Sequence, residues 1–181
     1  MEVGTFSSDP QTEWITGDGR DTQMRLLAPF SYTDPAGGEW LAPAGSVIDG
    51  ASIPRTLWSA VGSPYTGRYR RASIVHDVAC CDLRVARSEA DAMFYQACLA
   101  GGCTPAEAKL LYAGVRVGAW LDQYGPLFAD LQAAPGPRLP GDHSAQELAV
   151  RARFTLIAAD LQETGDSVAE VQATVDRHLP P

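Results

Sequence analysis

The sequence predicts an α+β fold: a small antiparallel β region at the N-terminus, a helical core, and a C-terminal helical appendage. Three observations carry this. Residues 1–50 contain short apolar runs broken by turn clusters. After "DGASIPR" the texture changes to helical periodicity. Four later segments then carry the Ser/Thr-x-x-acid signature of a helix start.

In chain order, "QMRLLAPFSYT" is a mostly apolar run carrying Pro29, "TDPAGGEW" is a turn cluster, and "EWLAPAGSVID" returns as a second strand region. Two to four short strands are expected. Pro54 fits the first turn of a short helix, "PRTLWSAVG", which "SPYTG" ends. "RYRRASIVHDVACCDL" is the next helix, with Ala72, Val75, Ala79 and Leu83 at helical spacing. "SEAD" offers Ser88 as N-cap with Asp91 three residues on. "TPAE" offers Thr104, Pro105 and Glu107, "SAQE" offers Ser144 and Glu147, and "SVAE" offers Ser167 and Glu170. Core helices are thus expected at about 68–82, 88–100 and 104–121. Trp58, Phe94, Tyr112 and Trp120 are read as core aromatics.

The expected division is a main domain over residues 1–132 (β region 1–50, helical core 51–132), a Pro/Gly-rich linker "AAPGPRLPGDH" at 133–143, and a helical segment at 144–181. In the last helix Val168, Val171, Val175 and Leu179 form a narrow apolar stripe suited to packing on the main domain or on a partner.

The net charge of -8 and pI of about 4.7 argue against a phosphate-backbone binder, so no nucleic-acid partner is expected. No basic region followed by an apolar run opens the chain, which predicts cytoplasmic synthesis without a signal peptide. No apolar stretch is long enough for a transmembrane segment. Four cysteines, Cys80, Cys81, Cys98 and Cys103, lack the paired spacing of a structural zinc site and read as reduced, mostly buried thiols.

"VHDVACC" holds the residues with chemistry. The helices at 68–82 and 88–100 are joined by the short segment "LRVAR", which favours an antiparallel hairpin. His76 lies before the turn about as far as Asp91 lies after it, so the two fall within about one helical turn of the same height. Imidazole–carboxylate contact would then fix the tautomer of a general base. Asp91 has a competing use as the acidic residue of the capping box on Ser88. Asp77 is rotated about 100° from His76 and suits a hard cation. The loop "AGSVIDGASIP" offers Asp49 and Gly50 nearby, although Asp-Gly is also a common tight turn. Cys80, at i+4 from His76, leaves a zinc site or a thiol nucleophile open. Tyr95, one turn after Asp91, fits either a hydrogen bond to it or the core. Arg68, Arg70 and Arg71 form the one dense basic cluster, read either as a solvated face or as an anion or acidic-partner contact.

"HDVACCD…ADAMFYQACLAGGCTPAEAKLLYAGVRVG" resembles the two-helix core of the phospholipase A2 superfamily over about fifty residues. That resemblance implies His76 as the base activating water and Asp91 as its orienting carboxylate. It also implies Asp77 as a calcium ligand, with Asp49 completing the shell, and an ester, specifically a phospholipid, as substrate. A broader resemblance runs over residues 25–121. "LLAPFSY", "WLAPAGSVIDGASIPRTLW", "GSPYTGRYRRASIVHD", "EADAMFYQA" and "VRVGAW" together are similar to the bacteriophage and prophage family known as domain of unknown function 1353. It implies a phage-related origin. Two function classes are therefore expected: a calcium-dependent ester hydrolase, or a non-enzymatic virion, tail or assembly component that docks other phage proteins through its C-terminal helices.

Overall fold

In the computed structural model the described residues are 2–16, 23–62, 67–123 and 143–179. Six short strands precede the helices: β1 Thr5–Phe6, β2 Thr12–Trp14, β3 Met24–Leu26, β4 Phe30–Thr33, β5 Glu39–Ala42 and β6 Val47–Ile48. A 3₁₀ turn at Arg55–Leu57 leads into α1 Trp58–Val61. Then come α2 Arg70–Cys81, α3 Arg87–Ala100, α4 Pro105–Gln123, α5 Ala145–Gln162 and α6 Val168–His178. The fold is α+β, with all strand pairings antiparallel. Among the described residues no helix is long and apolar enough to cross a membrane.

The chain divides into two compact units, Met1–Ala51 with Pro64–Thr104, and Ser52–Ser63 with Pro105–Pro181. The first holds two three-stranded sheets, ordered β1-β4-β5 and β2-β3-β6, together with α2 and α3. β3 shows why the strands form: Met24 and Leu26 are buried while Arg25 between them is exposed, the period of two of a half-covered sheet. Phe30, Tyr32, Ala42 and Ile48 join them in the core, where α2 lies against β4, β5 and β6. The expected strand regions are present, but the described residues hold six short strands in two sheets rather than two to four in one. β1, with two residues, is too short to display a period.

The second unit gathers α1, α4, α5 and α6. α5 buries Val150, Phe154, Ile157 and Leu161, spaced by four, three and four, in contact with α4. Of the stripe on α6, Val171, Val175 and Leu179 are buried and Val168 is half-buried. Gly118 of α4 sits so close to the carbonyl oxygen of Ser52 that a Cβ there would come within 2.0 Å of it. By contact α4 thus belongs with the C-terminal helices, whereas the sequence grouped it with residues 51–132. Of the proposed linker, residues 133–142 lie outside the described residues.

The caps at Ser144 and Ser167 are as expected. Ser144 Oγ accepts from the Glu147 N–H at 3.2 Å, and Ser167 Oγ accepts from the Glu170 N–H at 3.3 Å. Three expectations need correction. α3 starts earlier than "SEAD" implies: its N-cap is Ala86, and the N3 residue Glu89 accepts the Ala86 N–H at 3.3 Å, so Ser88 is not the cap. α2 ends at Cys81, and Leu83 is 102% exposed rather than part of an apolar stripe. The side chain of Asp82 accepts the Arg84 N–H at 3.0 Å, a local bond that competes with helix continuation. Trp58 and Trp120 are half-buried, beneath the guanidinium groups of Arg55 and Arg153, while Phe94 and Tyr112 are core.

Candidate functional site

The site lies in the first unit, on the α2–α3 hairpin. The antiparallel return through residues 82–86 brings His76 and Asp91 to the same height, as the loop length predicts. His76 Nε2 and Asp91 Oδ1 are 2.8 Å apart, and both side chains are 0% exposed. With α3 starting at Arg87, Asp91 is one turn past the first helical residue and has no capping duty. Its carboxylate is available to the histidine. The Phe94 ring, on the same helix, lies 4.7 Å from the imidazole, centroid to centroid.

A residue missed at the sequence level completes the cluster. Arg87 Nε donates to Asp91 Oδ1 at 3.1 Å. The i,i+4 spacing of Arg87 and Asp91 in "RSEAD" is the signal that could have found it. Burial pushes the His76 pKa down, against the carboxylate of Asp91, and the Arg87 charge pushes it further the same way. Burial opposes ionisation of Asp91, but the His76 hydrogen bond and Arg87 outweigh it and hold the carboxyl below its ordinary range. The state consistent with both directions is a neutral imidazole beside an ionised carboxylate. An ionised carboxylate only accepts, so Nε2 carries the hydrogen and Nδ1 the lone pair.

Cys80 Sγ lies 3.5 Å from His76 Nε2 and 3.9 Å from Nδ1. Burial pushes the thiol up to about 12, with the Arg87 charge acting against it. It is therefore a protonated thiol at neutral pH and not an activated nucleophile. His76, Cys80 and Asp91 place one nitrogen, one sulfur and one oxygen within 4.8 Å of one another, which is metal-ligand geometry. In this structure Nε2 and Oδ1 are engaged with each other, and Oδ1 also with Arg87.

Asp77 points to a different neighbour. Its Oδ2 accepts the backbone N–H of Asp49 at 2.8 Å, tying α2 to the loop after β6. Burial, and next the charge of Asp49, push the Asp77 carboxyl up to about 7. Gly50 stands in the left-handed region, with φ of 97°, where the chain turns beside this pair. The four residues thus form two pairs, His76 with Asp91 and Asp77 with Asp49. Tyr95 is fully buried in the core. Arg68, Arg70 and Arg71 sit at the start of α2, away from both pairs in sequence, and line a separate cleft. None of the four cysteines forms a disulfide: Cys81 is exposed, Cys80 half-buried, Cys98 and Cys103 buried.

Fold and site together define an α+β protein whose helical hairpin encloses a buried His–Asp pair, with the half-buried Arg87 on the same carboxylate. Residues 24–115 match the family described as Protein of unknown function (DUF1353), and the chain belongs to that family. The matched stretch contains Asp49, His76, Asp77, Arg87 and Asp91. The chain is also similar to two proteins of Sinorhizobium fredii. It is 36% identical to uncharacterized protein y4jT over 141 residues, covering 74% of this chain and 40% of that protein. It is 32% identical to uncharacterized protein y4iH over 166 residues, covering 90% of this chain and 65% of that protein. The chain thus spans less than two thirds of the length of either relative. No solved structure matches.

Proposed function

We propose that this chain is a hydrolase of the phospholipase A2 kind, acting on a carboxylic ester such as that of a phospholipid. The observation that carries the reading is the 2.8 Å bond from His76 Nε2 to Asp91 Oδ1. It spends one ring nitrogen on orientation and leaves the other, Nδ1, as the base. In this mechanism a water gives a proton to Nδ1 as its oxygen attacks the ester carbonyl. The proton passes on to the departing alkoxide, and His76 returns to its neutral form. The depressed pKa of His76 keeps the base unprotonated at neutral pH.

The same reading includes calcium at Asp77 and Asp49. The donor chemistry fits: two adjacent carboxylates supply hard oxygens, and burial together with the charge of Asp49 raises the Asp77 carboxyl, a repulsion that a divalent cation relieves. When bound, calcium would act as a Lewis acid on the ester carbonyl.

The complete burial of His76 and Asp91 favours a second reading. Here the pair is a polar clip between α2 and α3 in a non-enzymatic phage component, made in the cytoplasm and carried in a virion or tail. The C-terminal helices would contact other phage proteins.

One experiment separates the two. Hydrolysis of a short-chain phosphatidylcholine and of a chromogenic ester is measured with and without calcium, for wild type, His76→Gln and Asp91→Asn. The hydrolase reading requires calcium-dependent turnover that both variants lose while still folded. No turnover by the wild type under any of these conditions overturns it.

A further inference from the structure

Away from the His–Asp cluster, the first unit holds a cleft of about 430 Å³ where α2 begins, lined by Arg68, Arg70, Arg71, Gly67, Gly101 and Asp9 among others. The chain as a whole is acidic, with a net charge of -8. Yet three guanidinium groups meet here against the single carboxylate of Asp9.

How the arginines are held matters more than their number. Arg68 Nη1 donates to the carbonyl oxygen of Gly102 at 3.0 Å. Arg70 Nη2 donates to Thr12 Oγ1 at 3.4 Å. The Arg71 guanidinium lies over the Phe6 ring, 4.8 Å from its centre. Its one ion pair, to Asp9, is long at 3.9 Å, and the Asp9 side chain is 97% exposed. Neutral groups therefore position three cations whose charge is left largely uncompensated among the described residues. Each guanidinium has five N–H donors, more than these contacts use.

Their place in the fold runs against the helix dipole. α2 has no acidic residue in its first turn, and its N-cap, Tyr69, makes no side-chain capping bond. Cations at a helix N-terminus are unfavourable for the helix alone. The same arrangement is favourable once an anion sits between the guanidinium groups and the helix start. The end of α3 closes one side. Gly101 comes so near the Arg68 carbonyl oxygen that a Cβ there would stand 2.5 Å from it.

We infer that this cleft is a binding site for a phosphate group, held by Arg68, Arg70 and Arg71. Planar guanidinium forks match the oxygens of a phosphate monoester or diester. The site stands independently of whether His76 hydrolyses an ester. The phosphate can belong to a lipid headgroup or to a small free phosphate.

The test has two arms on the full chain. In the first, inorganic phosphate is titrated into labelled protein and followed by amide NMR. In the second, the protein is sedimented with phosphatidylcholine vesicles with or without phosphatidic acid. Arg70→Gln/Arg71→Gln is the comparison, since both residues are at the surface and the fold is checked by its melting curve. Saturable shifts centred on residues 67–71, weakened roughly tenfold or more in the double variant, support a free-phosphate site. Binding to the phosphatidic acid vesicles alone, lost in the double variant, supports a headgroup site. Shifts mapping elsewhere, no binding in either arm, or binding unchanged in a folded double variant overturns the inference.

Discussion

Asp77 offers the sharpest test of the site because its charge state reports on folding. Its carboxyl is raised from 3.8 to about 7, by burial and then by Asp49. Between those values the folded chain holds a proton that the unfolded chain has released. The stability linked to this proton is fully present below the unfolded pKa and is lost as pH rises through the folded one. Three pH units at about 1.36 kcal/mol each set a ceiling of roughly 4 kcal/mol. Asp77 is only partly shielded, so solvent screening reduces the expected loss to about 2 kcal/mol. Asp77→Asn cannot ionise and escapes it. The variant should match wild type near about pH 4 and exceed it by about 2 kcal/mol near about pH 8.

The assay is urea unfolding of both proteins across this range, followed by circular dichroism. Reading the difference between them is essential. His76 acts in the opposite sense: its folded pKa is depressed, so its contribution is lost as pH falls through the acid range. That slope is common to both proteins and cancels. Calcium extends the experiment. A cation held by Asp77 and Asp49 should recover wild-type stability at high pH and leave Asp77→Asn unchanged. A pH-independent difference between the proteins would refute the proton argument. No calcium effect on the wild type would refute the metal part.

Four further outcomes follow from named contacts. Asp91→Ala leaves the buried His76 N–H without its acceptor and should cost about 1–3 kcal/mol in urea unfolding; no measurable cost would mean that the His76–Asp91 bond is not buried as described. Arg87→Gln removes a charge that depresses the His76 pKa, so the His76 ring should titrate at higher pH by NMR, and an unchanged titration would remove Arg87 from the cluster. Gly118→Ala should cost about 1–3 kcal/mol or more, because its Cβ would meet the Ser52 carbonyl oxygen at 2.0 Å, and a neutral change in melting temperature would contradict that approach. In thiol labelling Cys81 should react first, with Cys80, Cys98 and Cys103 slow; rapid Cys80 modification that disappears in His76→Gln would revive the thiol as a nucleophile.

The His76–Asp91 contact was legible in the sequence because it depends on little: two helices, a short return, and equal distances from the turn. That Asp77 points away from this contact was legible too, since adjacent helix residues point about 100° apart, whereas Asp49 stood only as one residue of a candidate loop. The start of α3 was not. Ser88 and Asp91 satisfy a capping pattern, and only backbone geometry shows that Ala86 takes the cap with Glu89 at N3. Leu83 misled because periodicity does not register the side-chain bonds by which Asp82 holds the turn. Two-residue strands such as β1 carry no readable alternation. The grouping of α4 with the C-terminal helices rests on contacts distant in sequence.

The early start of α3 has a consequence for the chemistry. As the third residue of the helix, Asp91 would have spent its carboxylate on backbone N–H groups and left His76 an apolar surrounding. One turn further in, it receives His76 from across the hairpin and Arg87 from its own helix. The two acceptances differ in kind. Arg87 brings a full charge, so the carboxylate is balanced without a proton moving onto the imidazole. His76 brings only an N–H and stays neutral, with its second nitrogen unprotonated. Without Arg87 the imidazole would take a proton more readily, since burial alone would then oppose the pull of the Asp91 carboxylate. Burial is the main reason the histidine stays neutral, and Arg87, which the sequence motif does not include, adds to it in the same direction.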